Sequence, residues 1–256
     1  MIGALIGVYV GSIYEFNNTK DKNFPLIKSG KEITDDSICT IAVAYAILND
    51  IPYGDALREI CLRHPNPMGA YGSGFINWLH HGGDEPYNSC GNGSAMRVSA
   101  VGWAFDQEDV MLREAEKSAA CTHNHSEGVK GAQATAHAIW FFRHHKDDLQ
   151  GFKKLMTAYY PEWETFSKPF DTFNAICQNT VPLCIQEVAK GISYEDTLRN
   201  TVLRGGDTDT NGAIAGAIAG ARWGVPTDLW QAAYATIPAD LKEIVDAFVE
   251  KYDVKG

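Results

Sequence analysis

The sequence lacks any apolar run of the roughly 18 residues that a membrane-spanning helix requires, so we expect no membrane association. It is also poor in positive charge, because 22 lysines and arginines stand against 32 acidic residues and leave a net charge of −10. A protein that binds the phosphate backbone of nucleic acids needs a basic surface, and general nucleic-acid binding is therefore not expected. An anionic ligand would depend on local cations, backbone N–H groups or a bound metal.

Cysteine motifs are missing as well, since the six cysteines form neither a C-x-x-C pair nor a dense framework. Buried free thiols in a reducing compartment are the expected state, which favours a cytoplasmic protein. The apolar segment from Met1 to Ile13 has the length of a signal-peptide core, but it lacks a basic leader and an A-x-A cleavage site. We expect this segment to be a buried first helix.

Alternating strand patterns are nearly absent, whereas helical periodicity runs through most of the chain. A length of 256 residues with 45% hydrophobic content suits one large domain with a substantial core. We therefore predict an all-α fold, with a single compact helical domain over residues 1–256. Helices are predicted over residues 36–48, 107–120, 126–145, 172–190, 212–223, 227–236 and 239–252. Pro182 should kink or divide the fourth of these.

Two acidic clusters stand far apart in the sequence, Thr34-Asp35-Asp36-Ser37 and Gly205-Gly206-Asp207-Thr208-Asp209-Thr210. Each has the composition of a helix N-terminus, where Thr and Asp cap the backbone and acids suit the positive end of the dipole. Adjacent carboxylates also repel one another unless a cation lies between them, and oxygen ligands of this kind suit Mg²⁺, Ca²⁺ or Mn²⁺. Metal ligation and ordinary capping are both open interpretations, and the presence of two such clusters favours metal.

Glycines recur every four residues at Gly212, Gly216 and Gly220, on the helix that follows the second cluster. Each costs about 1 kcal/mol of helix propensity relative to alanine, which indicates a compensating contact. We predict that another helix packs very closely on this glycine face and that the second acidic cluster is deeply seated.

The stretch over residues 64–94 has no regular periodicity and is rich in glycine and proline. A loop of this length is usually functional, although a plain surface loop is the commoner interpretation of such a composition. Thr122-His123-Asn124-His125 lies between two predicted helices. Its spacing does not match a zinc site, and on its own it indicates a polar turn.

Taken together, these segments resemble the ADP-ribosylglycohydrolases, the group that contains dinitrogenase-reductase-activating glycohydrolase and the ADP-ribosyl-acceptor hydrolases. The resemblance extends from Gly7 to about Pro226, and its most specific parts are the two acidic clusters. The other matching segments, in family order, are Gly11-Ser12-Ile13-Tyr14-Glu15, Gly91-Asn92-Gly93-Ser94-Ala95-Met96-Arg97, and Thr122-His123 followed by Glu127-Gly128 and Gly131-Ala132.

The resemblance implies an all-α fold with two divalent cations, Mg²⁺ or Mn²⁺, at the base of an ADP-ribose cleft. Carried over position by position, the implied metal ligands are Thr34, Asp35, Asp36, Asp207, Asp209 and Thr210. The implied substrate-binding residues are Gly72, Ser73, Gly74, Phe75, Gly91, Asn92, Gly93, Ser94 and His123. The candidate catalytic residues are Asp36 and Glu15, either of which would act as general base for an attacking water.

The expected activity is therefore metal-dependent hydrolysis that releases ADP-ribose from an arginine or serine side chain of a protein. A small conjugate such as O-acetyl-ADP-ribose is an alternative substrate, and a non-catalytic ADP-ribose-binding or structural role is an alternative function. The expected partner is an ADP-ribosylated protein or ADP-ribose conjugate, and the protein is expected to be a monomer.

Overall fold

All regular secondary structure in the described residues is helical, as predicted. The computed structural model describes residues 1–81, 85–167, 173–252 and 254. Its helices are α1 (Ile2–Gly11), α2 (Asp35–Asn49), α3 (Tyr53–Arg63), α4 (Ser73–His81), α5 (Gly93–Met96), α6 (Ser99–Ala104), α7 (Glu108–Ala120), α8 (Ser126–His144), α9 (Leu149–Tyr159), α10 (Cys177–Lys190), α11 (Tyr194–Val202), α12 (Thr208–Trp223), α13 (Thr227–Ala235) and α14 (Ala239–Tyr252). In this part of the chain no helix has both the length and the apolar character needed to cross a membrane.

Helices α1 and α12 form the centre of the fold. Every residue of α1 is buried, and so is every residue of α12 from Thr208 to Ala221. A helix that is buried on all sides has no polar face, which explains why α1 consists almost entirely of apolar residues and glycine. The expected buried first helix is therefore present, and a short 3-10 turn over Ser12–Tyr14 continues it towards Glu15.

Glycines from both central helices meet backbone to backbone. A Cβ atom added to Gly7 would overlap the carbonyl oxygen of Gly212, and one added to Gly3 would overlap that of Gly216. A Cβ on Gly11 would overlap the carbonyl oxygen of Thr208. The predicted close helix contact is confirmed, and its partner is α1. The order of these contacts also shows that the two helices are antiparallel.

The remaining helices surround this pair in two packed groups. Apolar side chains of α2, α3, α7 and α14 form one core cluster with α1. Those of α8, α9 and α10 form a second cluster with the other face of α12. The central pair therefore has packed protein on both sides, which limits how far either helix can move.

The structure changes two local expectations. The irregular stretch over residues 64–94 contains α4, whose apolar face buries Phe75, Trp78 and Leu79. Helix α10 continues through Pro182, so the proline does not divide it, and a kink there stays a prediction. Pro182 is the sixth residue of this helix, and its missing N–H removes one intrahelical hydrogen bond. The helix begins at Cys177, and position 172, where it was expected to start, lies outside the described residues.

We expect Gly7→Ala to destabilise the protein by about 3 kcal/mol or more, because the added methyl group meets backbone atoms of α12 that cannot move aside. Gly54→Ala is the matched control. A Cβ on Gly54, also in a helix, would lie 3.6 Å from Cβ of Cys121, an ordinary contact. This change should leave the free energy of unfolding unchanged or raise it by up to about 1 kcal/mol. Denaturant unfolding of both variants checks this, and similar effects in the two would contradict the packing argument.

Candidate functional site

A cleft of about 420 Å³ opens at the N-terminal ends of α2 and α12. Acidic side chains line it, together with glycine-rich loops and aromatic rings. Of the residues identified from the sequence, those that line the cleft are Glu15, Asp35, Asp36, Gly72, Ser73, Gly74, Phe75, Gly91, Asn92, Gly93, His123, Asp207, Asp209 and Thr210.

The two acidic clusters meet in this cleft. Carboxylate oxygens of Glu15, Asp207 and Asp209 lie within 4.8 Å of one another, and so do those of Asp35, Asp36 and Asp209. Asp209 belongs to both groups and joins them into one cluster of five carboxylates. The fold has thus brought together acids from the end of α1, the start of α2 and the start of α12.

A turn of two glycines, together with one asparagine, fixes the segment that leads into α12. Gly205 and Gly206 have φ values of +65° and +76°, in the left-handed region that favours glycine. The N–H of Gly206 donates to Oδ1 of Asn18 at 2.7 Å, and Nδ2 of Asn18 donates to the carbonyl of Gly206 at 3.1 Å. This reciprocal pair ties the segment after Glu15 to the turn before Asp207. Asn18 was not identified from the sequence, where no motif includes it.

Neutral donors stabilise two of the carboxylates. The hydroxyl of Thr210 donates to Oδ2 of Asp36 at 2.7 Å. The amide of Asn92 donates to Oδ2 of Asp207 at 2.7 Å. Among the described residues, none of the five acids forms an ion pair with a lysine or arginine. Within the described residues the cluster therefore has hydrogen-bond donors but no directly paired lysine or arginine.

Two residues carried over from the resemblance are not among the described residues that line the cleft. Thr34 is fully buried, and its hydroxyl accepts the N–H of Asp36 at 3.3 Å as the N-cap of α2. The hydroxyl of Ser94 donates to the carbonyl of Gly128 at 2.7 Å, which joins α5 to α8. The hydroxyl of Ser94 is thus engaged within the protein, and a substrate contact of this residue stays a prediction. Asp207, by contrast, makes no side-chain cap at the start of α12.

The glycine loop before α5 uses part of its backbone internally. The N–H of Gly91 donates to Oγ of Ser89, and the N–H of Asn92 donates to the carbonyl of Ala175. A Cβ on Gly93 would lie 3.1 Å from Nε2 of His123. This loop therefore provides space for the histidine ring, and only part of its backbone remains available to a ligand.

The rim of the cleft carries two aromatic rings that the sequence analysis missed. Phe16 is 74% exposed and Phe173 is 53% exposed, and both line the cleft. Their ring centroids are 6.3 Å apart with an interplanar angle of 12°. Phe16 directly follows Glu15, which was a usable signal, whereas no local pattern distinguishes Phe173.

Comparison with known proteins places this site in a family. Residues 1–256 match the family model described as ADP-ribosylglycohydrolase. The chain belongs to the ADP-ribosylglycohydrolase family. The segments that carried the resemblance lie within the matched range, and most of them meet in the cleft.

Two relatives have low sequence identity to this chain but align with it over most of their length. The chain is 24% identical to ADP-ribosylhydrolase ARH3 of Bos taurus and 25% identical to that of Homo sapiens, and each alignment covers 90% of this chain and 86% of the relative. A solved structure titled ADP-ribosylglycohydrolase-related protein complex is similar with a TM-score of 0.71 and 20% identity, covering 99% of this chain and 96% of that one. At this identity, the structural likeness shows the fold.

Burial and mutual repulsion raise the pKa values of the family's acidic residues in this chain. Burial first and then Asp207 raise the pKa of Glu15 to about 7. Burial, Asp207 and Glu15 raise the pKa of Asp35 to about 8. The pKa values of Asp36 and Asp209 are raised well above their usual range, again mainly by burial. Without a cation, this cluster retains protons near neutral pH.

The donor set fits a hard divalent cation. All the side chains offered are oxygen ligands, which such ions prefer. Oδ1 of Asp209 is buried and has no hydrogen-bond partner in the part of the chain that the structure describes. A buried, unpartnered carboxylate oxygen is costly unless a proton or a cation occupies its lone pairs. The cluster is therefore able to hold metal.

We expect the metal-free protein to lose stability as the pH rises from about 4.5 to about 8. The raised pKa values mean that the folded state keeps protons that the unfolded chain has already released. Unfolding then becomes more favourable at higher pH. Asp209→Asn should make this loss smaller, because one of the repelling charges is removed.

Thermal unfolding in EDTA across this pH range checks the effect. Asp246→Asn, on the exposed surface of α14, is the matched control and should follow the wild type. A wild-type stability that is constant or rising over the same range would contradict the assignment.

Proposed function

We propose that this protein is a metal-dependent hydrolase that releases ADP-ribose from an arginine or serine side chain of a modified protein. The observation that carries the proposal is the five-carboxylate cluster in the cleft of a chain of this family. Two divalent cations, Mg²⁺ or Mn²⁺, are the proposed cofactors. The family membership and the names of the ARH3 relatives support ADP-ribose as the recognised group.

The proposed metal ligands are Thr34, Asp35, Asp36, Asp207, Asp209 and Thr210. When bound, divalent cations orient the ribose hydroxyls and a water and neutralise developing negative charge. Thr210 and Asn92 orient the carboxylates of Asp36 and Asp207 through the hydrogen bonds described above. Thr34 contributes through the start of α2, which determines where Asp35 and Asp36 enter the cleft.

Glu15 is the better candidate for the general base. Both residues line the cleft, but Asp36 is 2% exposed and already accepts a hydrogen bond from Thr210, whereas Glu15 is only partly buried. In the proposed reaction Glu15 removes a proton from water, the water oxygen bonds to the anomeric carbon, and the glycosidic bond breaks. The leaving side chain takes up a proton as ADP-ribose is released.

The anionic and planar parts of ADP-ribose have suitable surroundings in the cleft. The first N–H groups of a helix lack intrahelical partners, and Gly72, Ser73 and Gly74 place the start of α4 at the cleft wall. We assign the diphosphate to this helix start, because N–H groups bind anions without adding a side-chain cation. The exposed rings of Phe16 and Phe173 then provide stacking surfaces for the adenine base.

A substrate panel tests the proposed function. We expect free ADP-ribose to appear from arginine-linked or serine-linked ADP-ribosyl peptides, to stop forming in EDTA, and to return with Mg²⁺ or Mn²⁺. Turnover of O-acetyl-ADP-ribose alone would indicate the small-conjugate alternative. Binding of ADP-ribose without any turnover at saturating Mg²⁺ or Mn²⁺ would establish a non-catalytic family member and overturn the proposal.

Glu15→Gln should lower kcat by about 100-fold or more, because general base catalysis contributes a factor of this order. The affinity for ADP-ribose should change little, since the lost interaction belongs mainly to the transition state. Steady-state kinetics and calorimetric titration with ADP-ribose measure the two effects. Glu250→Gln, on an exposed position of α14, is the matched control. An unchanged kcat in Glu15→Gln would transfer the role to Asp36.

A further inference from the structure

Arg97 is a buried cation beside the cleft that the proposed reaction does not use. It is 1% exposed and directly follows α5. Its Nη2 nitrogen donates to the carbonyl of Ser118 at 2.8 Å and to Oγ1 of Thr122 at 2.8 Å. A guanidinium has donors only, so the oxygen of Thr122 accepts in the second of these bonds.

The hydroxyl of Thr122 makes a second short contact, at 2.7 Å, with Nδ1 of His123. Thr122 is fully buried, and His123 offers the only acceptor for its proton in the described part of the chain. If Nδ1 carried the hydrogen instead, the hydroxyl proton would be buried without a partner, which is costly. The hydroxyl of Thr122 therefore donates to Nδ1.

A neutral histidine that accepts at Nδ1 carries its proton on Nε2. Nε2 of His123 faces the glycine loop, 3.3 Å from the position of a Cβ on Gly91 and 3.1 Å from one on Gly93. His123 lines the cleft. Burial and the charge of Arg97 hold the pKa of His123 well below its usual value, which is consistent with a neutral ring.

We propose that Arg97 and Thr122 are positioning residues that hold His123 in the Nε2–H tautomer. The cleft then carries a neutral hydrogen-bond donor on the wall formed by the glycine loop, directed at a ribose or phosphate oxygen of the ligand. The identity of that ligand rests on the proposed function, whereas the tautomer does not. Without Thr122, either ring nitrogen of His123 is able to carry the proton, and the donor is lost for part of the time.

Nitrogen NMR of the ligand-free protein tests the tautomer directly. Histidine labelled with ¹⁵N in both ring positions is observed, and the signal of His123 is assigned by its loss in His123→Gln. We expect the pattern of a ring with an unprotonated Nδ1 and a protonated Nε2. A ring protonated at Nδ1, or an equal mixture of tautomers, overturns the inference. Because no ligand is present, this result is independent of whether the protein hydrolyses or binds ADP-ribose.

Thr122→Val and Thr122→Ser then separate the hydrogen bond from the shape of the side chain. Valine matches threonine in shape but cannot donate, so His123 should become a mixture of tautomers. ADP-ribose should then bind about twofold more weakly, because only about half of the molecules carry the donor. Serine keeps the hydroxyl and should retain both the tautomer and the wild-type affinity.

An unchanged His123 spectrum in Thr122→Val overturns the positioning role. If the valine variant does not fold, Thr122→Ser still tests the positioning role. A changed tautomer of His123 in a folded serine variant, which keeps the hydroxyl, would contradict that role. If the wild type does not bind ADP-ribose, the proposed function fails while the spectra still report on the tautomer of His123 and on the role of Thr122.

Discussion

The close antiparallel contact between α1 and α12 is the constraint on which the acidic site depends. Gly7 against Gly212 sets the register of the two helices. In that register the C-terminal end of α1 lies beside the N-terminal end of α12, and the hydroxyl of Thr208 donates to the carbonyl of Gly11 at 2.9 Å. Glu15 therefore meets Asp207 and Asp209. Bulkier residues would separate the helices and move these carboxylates apart.

The site holds like charges close together, which costs free energy of folding. The packing of the surrounding helices offsets this cost. Burial alone disfavours ionised carboxylates, and each neighbour raises the cost for the next. The side chains of Thr210 and Asn92 supply neutral donors to two of them. Packed helices on both sides of the central pair prevent the acids from separating. An arrangement of this kind is unfavourable without a ligand and favours one that brings positive charge.

Much of the organisation follows from local patterns. The helical periodicity of α2 and α8, the glycine spacing of α12 and the composition of both acidic clusters are local properties of the chain, so the all-α fold and the candidate acids were predictable. Other features were not. Gly3, Gly7 and Gly11 repeat the four-residue spacing of the α12 glycines, which was a usable signal for the partner helix, but the spacing does not show which glycines meet. The hydrogen bonds of Ser94 to Gly128 and of Asn92 to Ala175 depend on residues distant in the sequence.

The sequence by itself determined where the acidic clusters lie, which segments become helices and which face of α12 consists of glycine. These properties depend on neighbours along the chain. Only the tertiary structure decided that Thr210 donates to Asp36 across 174 positions and that Asn18 holds the turn before Asp207. It also decided that Phe16 and Phe173 share the rim of one cleft. Contacts between distant residues depend on how the helices are oriented and packed, and a periodic pattern carries no information about distance across the core.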